Sequence, residues 1–234
     1  MKKVFISVFT NVIICVAILI STFVGFYPPT ATEVSKDINN VFYRGKGANN
    51  CVSLMFNVYQ NTENVYKILE ILKENGSTAT FFIGGSWADD NVDCVRSIYN
   101  NGFEIASHGY FHKDHEKLNL KQNTEEILPS VKLLNMICNT EIELFAPPSG
   151  AFSQNTATAC ASLNLKLIMW SRDTIDWRDQ NEKLIYERAT KDLTSGEFIL
   201  MHPTDCTVKT LPKILNYIKE NGFITETVSI NLGE

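Results

Sequence analysis

The sequence predicts an α/β chain: a barrel-like sheet of about seven parallel strands, preceded by an N-terminal membrane-spanning helix. Three observations predict it. Seven short, β-rich apolar runs alternate with helical patterns from residue 51 onward. Three segments, KENGSTATFF, YNNGFEIASH and KENGFITETV, put Asn-Gly at a helix end directly before a strand. And residues Val4 to Tyr27 carry no charge.

That N-terminal segment follows MKK and is 24 residues long, enough to cross a hydrocarbon core of roughly 30 Å as a helix. Residues 1–27 are therefore expected to be a signal anchor or signal peptide. The PPTATE that follows is a poor cleavage site, which favours the anchor. The expected location is the cell membrane, single-pass, with the domain outside the cytoplasm, or secretion if the N-terminus is cleaved. Residues 28–50 lack periodicity and read as a spacer, with a short edge strand at Val41–Tyr43.

The domain proper is expected over 51–234. Its strand runs are CVSLMFN, TATFFIG, FEIASH, IELFAP, KLIMWS, EFILMH and ITETVS. Between the first two, ENVYKILEILKE places Val65, Ile68, Leu69 and Leu72 on one helical face. Helical crossovers between neighbouring strands imply a parallel sheet. In such sheets functional residues gather at strand C-terminal ends.

Composition narrows the function. The formal charge is −5 and no basic cluster lies outside the N-terminal MKK, so a nucleic-acid footprint is absent. The six cysteines include Cys15 in the apolar segment and no C-x-x-C pair. An exported domain can join some in one or two disulfides, or they can be small buried thiols.

All four histidines lie at or just past a strand end. SHGYFHKDH holds His108, His112 and His115, and EFILMH ends on His202. His108 and His112 are four apart, so one turn can aim both imidazoles at a metal such as zinc, which then needs a third protein ligand. Asn57, Pro147, Pro148, Asp173 and Asp176 stand at other strand ends.

These motifs resemble, in order along residues 51–229, those of the polysaccharide deacetylases, the family-four carbohydrate esterases that share the NodB homology domain. SHGYFH is similar to the H-S/T-x-x-x-H metal motif, FAPPSG to R-x-P-P-Y-G, DTIDW to D-x-x-D-W and LMH to L-x-H. The resemblance implies a distorted (β/α) barrel, a divalent metal such as zinc, and hydrolysis of N-acetyl groups on amino-sugar polymers such as peptidoglycan. It implies His108 and His112 as metal ligands, His202 as general acid and Asp176 as the residue orienting it. Trp177, Leu200 and Pro148 would line the substrate pocket, and the backbone N–H of Ser149 would face the oxyanion.

The first motif departs. The family's T-F-D-D-G aligns with MFNVY, so Asn57 replaces the general base and Val58 the third metal ligand. The Arg that pairs with the base is Ala146. Three repairs are open: a water in the third metal position, His115 as a ligand, or Glu63, Asp173 or Asp205 as a base. Trp87 is a candidate for stacking on a sugar. The expectation is a monomeric, metal-dependent cell-wall polysaccharide N-deacetylase with an altered base and ligand set. The alternative is an inactive glycan-binding protein on the same fold.

Overall fold

The computed structural model describes residues 40–233. Nine parallel strands alternate with helices: β1 (Val41–Phe42), β2 (Cys51–Val58), α1 (Thr62–Glu74), β3 (Thr80–Ile83), α2 (Gly85–Asp90), α3 (Val92–Asn100), β4 (Glu104–Ser107), α4 (Leu120–Cys138) and β5 (Leu144–Phe145). They continue as α5 (Gln154–Ser162), β6 (Lys166–Ile168), β7 (Arg172–Asp173), α6 (Asp176–Asp179), α7 (Glu182–Thr190), β8 (Phe198–Met201), α8 (Asp205–Glu220), β9 (Ile224–Thr225) and α9 (Val228–Leu232). The sheet order is β1-β6-β5-β4-β3-β2-β8-β7, with β9 paired to the start of β2.

This is a curled half-barrel. Its edge strands β1 and β7 do not pair, but the chain after β1 makes an antiparallel bridge, Arg44 to Glu197, at the foot of β8. Glu197 accepts from Arg172 of β7 and also lies 3.8 Å from Arg44, so one carboxylate gathers both edges.

Residues 41–47 of the segment expected as a spacer pack on the sheet: β1 pairs with β6, and Gly45 N–H donates to Gly196 at 2.8 Å. β7 had no signal of its own, because two residues are too few for a period to show. The run ITETVS is a strand only at Ile224–Thr225. Thr227 then caps α9 by accepting from Ile230 N–H, so the second half turns helical. Gly76, Gly102 and Gly222 all adopt positive φ after their helices, as the Asn-Gly punctuation requires.

Alternation along each strand sorts side chains into two layers. Leu54, Phe56, Val58, Phe81, Ile83, Ile105, Phe145, Leu167 and Met201 face the helices, where Val65, Ile68, Leu69 and Leu72 of α1 meet them. Met55, Phe82, Ala106, Leu144, Ala146, Ile168 and Leu200 fill the concave interior. Asn57, His108 and His202 continue the inward-facing series one rung higher, at the C-terminal ends of β2, β4 and β8.

Among the described residues no helix is long and apolar enough to cross a membrane. The expected span at 4–27 lies outside them. All five described cysteines are free thiols, and four of them, Cys51, Cys94, Cys138 and Cys160, are buried.

Candidate functional site

The upper rung of the half-barrel carries two imidazole systems. On β8, His202 is held by Asp176 from the turn opening α6: Nδ1 lies 2.8 Å from Oδ1, and the His202 backbone N–H donates to Oδ2 at 2.6 Å. The same carboxylate accepts from Trp177 N–H and from the Thr207 hydroxyl, and Asp176 is fully buried. Four donors fix the carboxylate, and the carboxylate fixes the ring with Nε2 left to serve a ligand.

On β4, His108 is buried and its Nδ1 lies 2.8 Å from the carbonyl oxygen of Ala146. A carbonyl only accepts, so Nδ1 carries the proton and Nε2 presents a lone pair. Burial, then the adjacent His112, holds this imidazole well below the ordinary histidine value. His112 follows at φ 54, a left-handed conformation uncommon for a side chain of this size, with its ring 5.2 Å from that of His108. Burial lowers its pKa as well.

The loop that delivers His112 is tied on both sides. Gly85 and Ser86 donate to the carbonyls of Gly109 and Tyr110, Tyr110 N–H donates to the Glu126 carbonyl, and the buried Glu126 side chain accepts from Phe111 N–H while facing Lys113 at 3.5 Å. Gly109, at φ 76, permits the turn; a Cβ there would stand 3.2 Å from His115 Nε2. Tyr59 closes the other side, its ring packed on His112 with centroids 4.1 Å apart and the planes tilted by 34°.

Position by position, several expectations change. Asn57 is in the inward rung, buried, and its Oδ1 has no hydrogen-bond partner among the described residues. Val58 points the other way, into the apolar layer beneath the helices, so this position offers nothing to the site. His115 does not complete a three-ligand group: it is fully buried, its Nδ1 is 2.7 Å from Asn123 Oδ1, its ring packs on Phe145, and its Nε2 has no hydrogen-bond partner among the described residues. Glu63 is not a displaced base. It is exposed in the first turn of α1, where a carboxylate complements the helix dipole, and it pairs with Lys67 at 2.6 Å.

Asp173 accepts from Ile175 N–H within its own turn, and Asp205, at the start of α8, accepts from the Asn64 side chain of α1, so both carboxylates are taken up by the fold. Trp87 is buried in the outer core, not displayed to a sugar. Trp177 is 55% exposed, Leu200 and Pro148 are buried at the inner wall, and Ser149 sits at φ 57 on the rim. Three residues were not anticipated: Tyr59, Glu126 and Thr207. Tyr59 had a signal, since it follows the first strand's end. Glu126 had a faint one, an acid on the apolar face of α4 with Ile127, Ser130 and Leu134.

A catalytic zinc normally takes three protein ligands. Here two imidazole nitrogens are offered, the third position faces the core, and among the described residues no three His, Cys, Asp or Glu side chains are grouped to hold a metal. The residues present do not fit a resident catalytic metal.

A parallel half-barrel with an Asp-His pair and two further histidines at its strand C-terminal ends is the arrangement the polysaccharide deacetylase resemblance implies. The polysaccharide deacetylase family profile matches residues 44–168, and this chain belongs to that family. It is 32% identical over 80% of its length to the uncharacterized protein YlxY of Bacillus subtilis, and 29% identical over 74% to a peptidoglycan-N-acetylglucosamine deacetylase of Bacillus cereus. It spans 59% and 66% of those two proteins. Its fold matches that of a family-four pseudoenzyme from Bacillus anthracis with a TM-score of 0.80 at 29% identity, covering 83% of this chain and 69% of that one. A mutant of that pseudoenzyme with restored enzymatic activity matches equally well, with a TM-score of 0.80.

Proposed function

We propose that this chain binds N-acetylated cell-wall glycan without hydrolysing it. One observation carries the reading: at the end of β2 the inward side chain is the amide of Asn57, and the next residue, Val58, is packed beneath the helices. An amide cannot take a proton from water near neutral pH, and valine cannot ligate a metal. Ala146 completes the pattern, since an arginine there would have no carboxylate to offset. The family membership supports a cell-wall glycan as the ligand, and the likeness to a pseudoenzyme supports binding without hydrolysis.

What remains is a sugar-sized recognition surface. Tyr59, Phe111 and Trp177 are exposed aromatics on the segments that follow β2, β4 and β7, suited to stacking on pyranose faces. His202 Nε2 and His108 Nε2 offer polar contacts at the floor. As a signal anchor, residues 4–27 would keep the domain at the cell membrane, outside the cytoplasm.

A second reading is metal-dependent N-deacetylation with an altered base and ligand set. The Asp176–His202 pair favours it, because four donors on one buried carboxylate is more organisation than a packed core needs. Metal content of the purified protein separates the two. The binding reading expects far less than one equivalent of zinc after dialysis; a stable equivalent would favour hydrolysis.

A further inference from the structure

The buried amide at the end of β2 is out of place as structure. Asn57 is 3% exposed, and its Oδ1 finds no hydrogen-bond partner among the described residues. A buried acceptor left unpaired is destabilising, and native proteins rarely keep one without a use for it. Its surroundings are apolar on the inner face: Met55 below it on β2, Phe82 opposite on β3 and Leu200 on β8. Asn57 lies one residue beyond the Phe56–Met201 pair, beside His202.

We infer that Asn57 selects the N-acetylated form of the sugar, its Oδ1 accepting a hydrogen bond from the acetamido N–H of a bound amino-sugar residue. This rests on the glycan-binding reading above and names what that site distinguishes. An acetamide offers one N–H donor, one carbonyl and a methyl group. The donor meets the orphan oxygen, and the methyl meets the apolar inner wall. A free amino sugar would instead bring an ammonium group to a rung that has the neutral amide of Asn57, the methyl of Ala146 and the imidazoles of His108 and His202. The one carboxylate near by, Asp176, lies behind His202 and is already filled by four donors, so burying that charge is unfavourable. The substitution that removes the base would thus also make the site prefer the uncut group.

The test is titration of the full-length chain in detergent with a tetramer of N-acetylglucosamine and with the matching glucosamine tetramer. Wild type is expected to bind the acetylated tetramer roughly tenfold or more tightly. Asn57→Leu should lose roughly tenfold for the acetylated tetramer while its Tm stays level or rises, because it removes an unpaired polar group. Asn57→Asp should shift preference toward the glucosamine tetramer. If wild type binds the acetylated tetramer and Asn57→Leu binds it equally well, the inference is overturned and the glycan reading stands. If wild type binds neither tetramer, both fall. Should Asn57→Leu fail to fold by circular dichroism, Asn57→Ala is read by the same criteria.

Discussion

Asp176 grips His202 at two points, the ring through Oδ1 at 2.8 Å and the backbone N–H through Oδ2 at 2.6 Å. The contact ties the turn after β7 to the end of β8, and Thr207 of α8 closes it from the far side. The pair therefore serves the fold whether or not it moves a proton.

That dual use predicts a stability cost. Asp176→Asn keeps the shape but turns an NH2 group toward donors, so unfolding free energy should drop by about 2 kcal/mol. Thr207→Val removes one donor only and should cost about 1 kcal/mol. Urea denaturation of both variants checks the order; an Asp176→Asn protein as stable as wild type would contradict it.

The His112 loop should depend on Glu126. Its carboxylate is buried in α4 and accepts from Phe111 N–H. Glu126→Gln keeps an acceptor oxygen but loses the charge facing Lys113. Amide exchange at residues 109–113 is expected to accelerate several-fold, by roughly 1 kcal/mol of local protection, with α8 unchanged. Uniform acceleration would point to global destabilisation instead.

Acid should destabilise the domain through its buried imidazoles. Burial, then His112, depresses His108; burial also depresses His115 despite its bond to Asn123. The unfolded chain, with the ordinary histidine value of 6.5, binds protons first as the pH falls. The stability held by the neutral rings is thus fully present above that value. It is lost as pH drops through it toward the depressed folded values. His115→Gln removes one such group, so its denaturation midpoint should fall less steeply between pH 7 and pH 5. An unchanged slope would exclude His115 as a contributor.

The thiols should differ sharply in reactivity. Burial pushes Cys94 and Cys138 up to about 11 and raises Cys160 further, while Cys206 is partly exposed at the start of α8. Iodoacetamide at pH 8 should label Cys206 at least roughly tenfold faster than those three in the native protein, read by peptide mapping. Equal labelling would mean that the helices open readily.

The architecture was legible because its signals are local. Apolar runs marked β2, β3, β4, β5, β6 and β8, and Asn-Gly marked three helix ends. The inward position of Asn57, His108 and His202 follows from strand alternation alone. What failed needed long-range information. His115 is six residues after Gly109 but is buried by Asn123 and Phe145, partners a linear reading cannot assign. Glu63 and Lys67 carried an i,i+4 pattern that reads equally as a helix start, and the helix claimed them. Trp87 looked like a loop aromatic because α2 is only six residues long. Glu126 lay within the helical pattern, but only the folded loop at 109–113 explains why an acid is buried there.

The central claim is recognition without hydrolysis, and one paired measurement tests it most directly. The full-length chain, supplied in turn with zinc, cobalt and no added metal, is titrated with an N-acetylglucosamine tetramer while acetate is assayed in the same samples. The account predicts saturable binding in all three conditions, with acetate no higher than in a His202→Ala control. Acetate accumulating beyond one equivalent of protein, and only with metal, would contradict it.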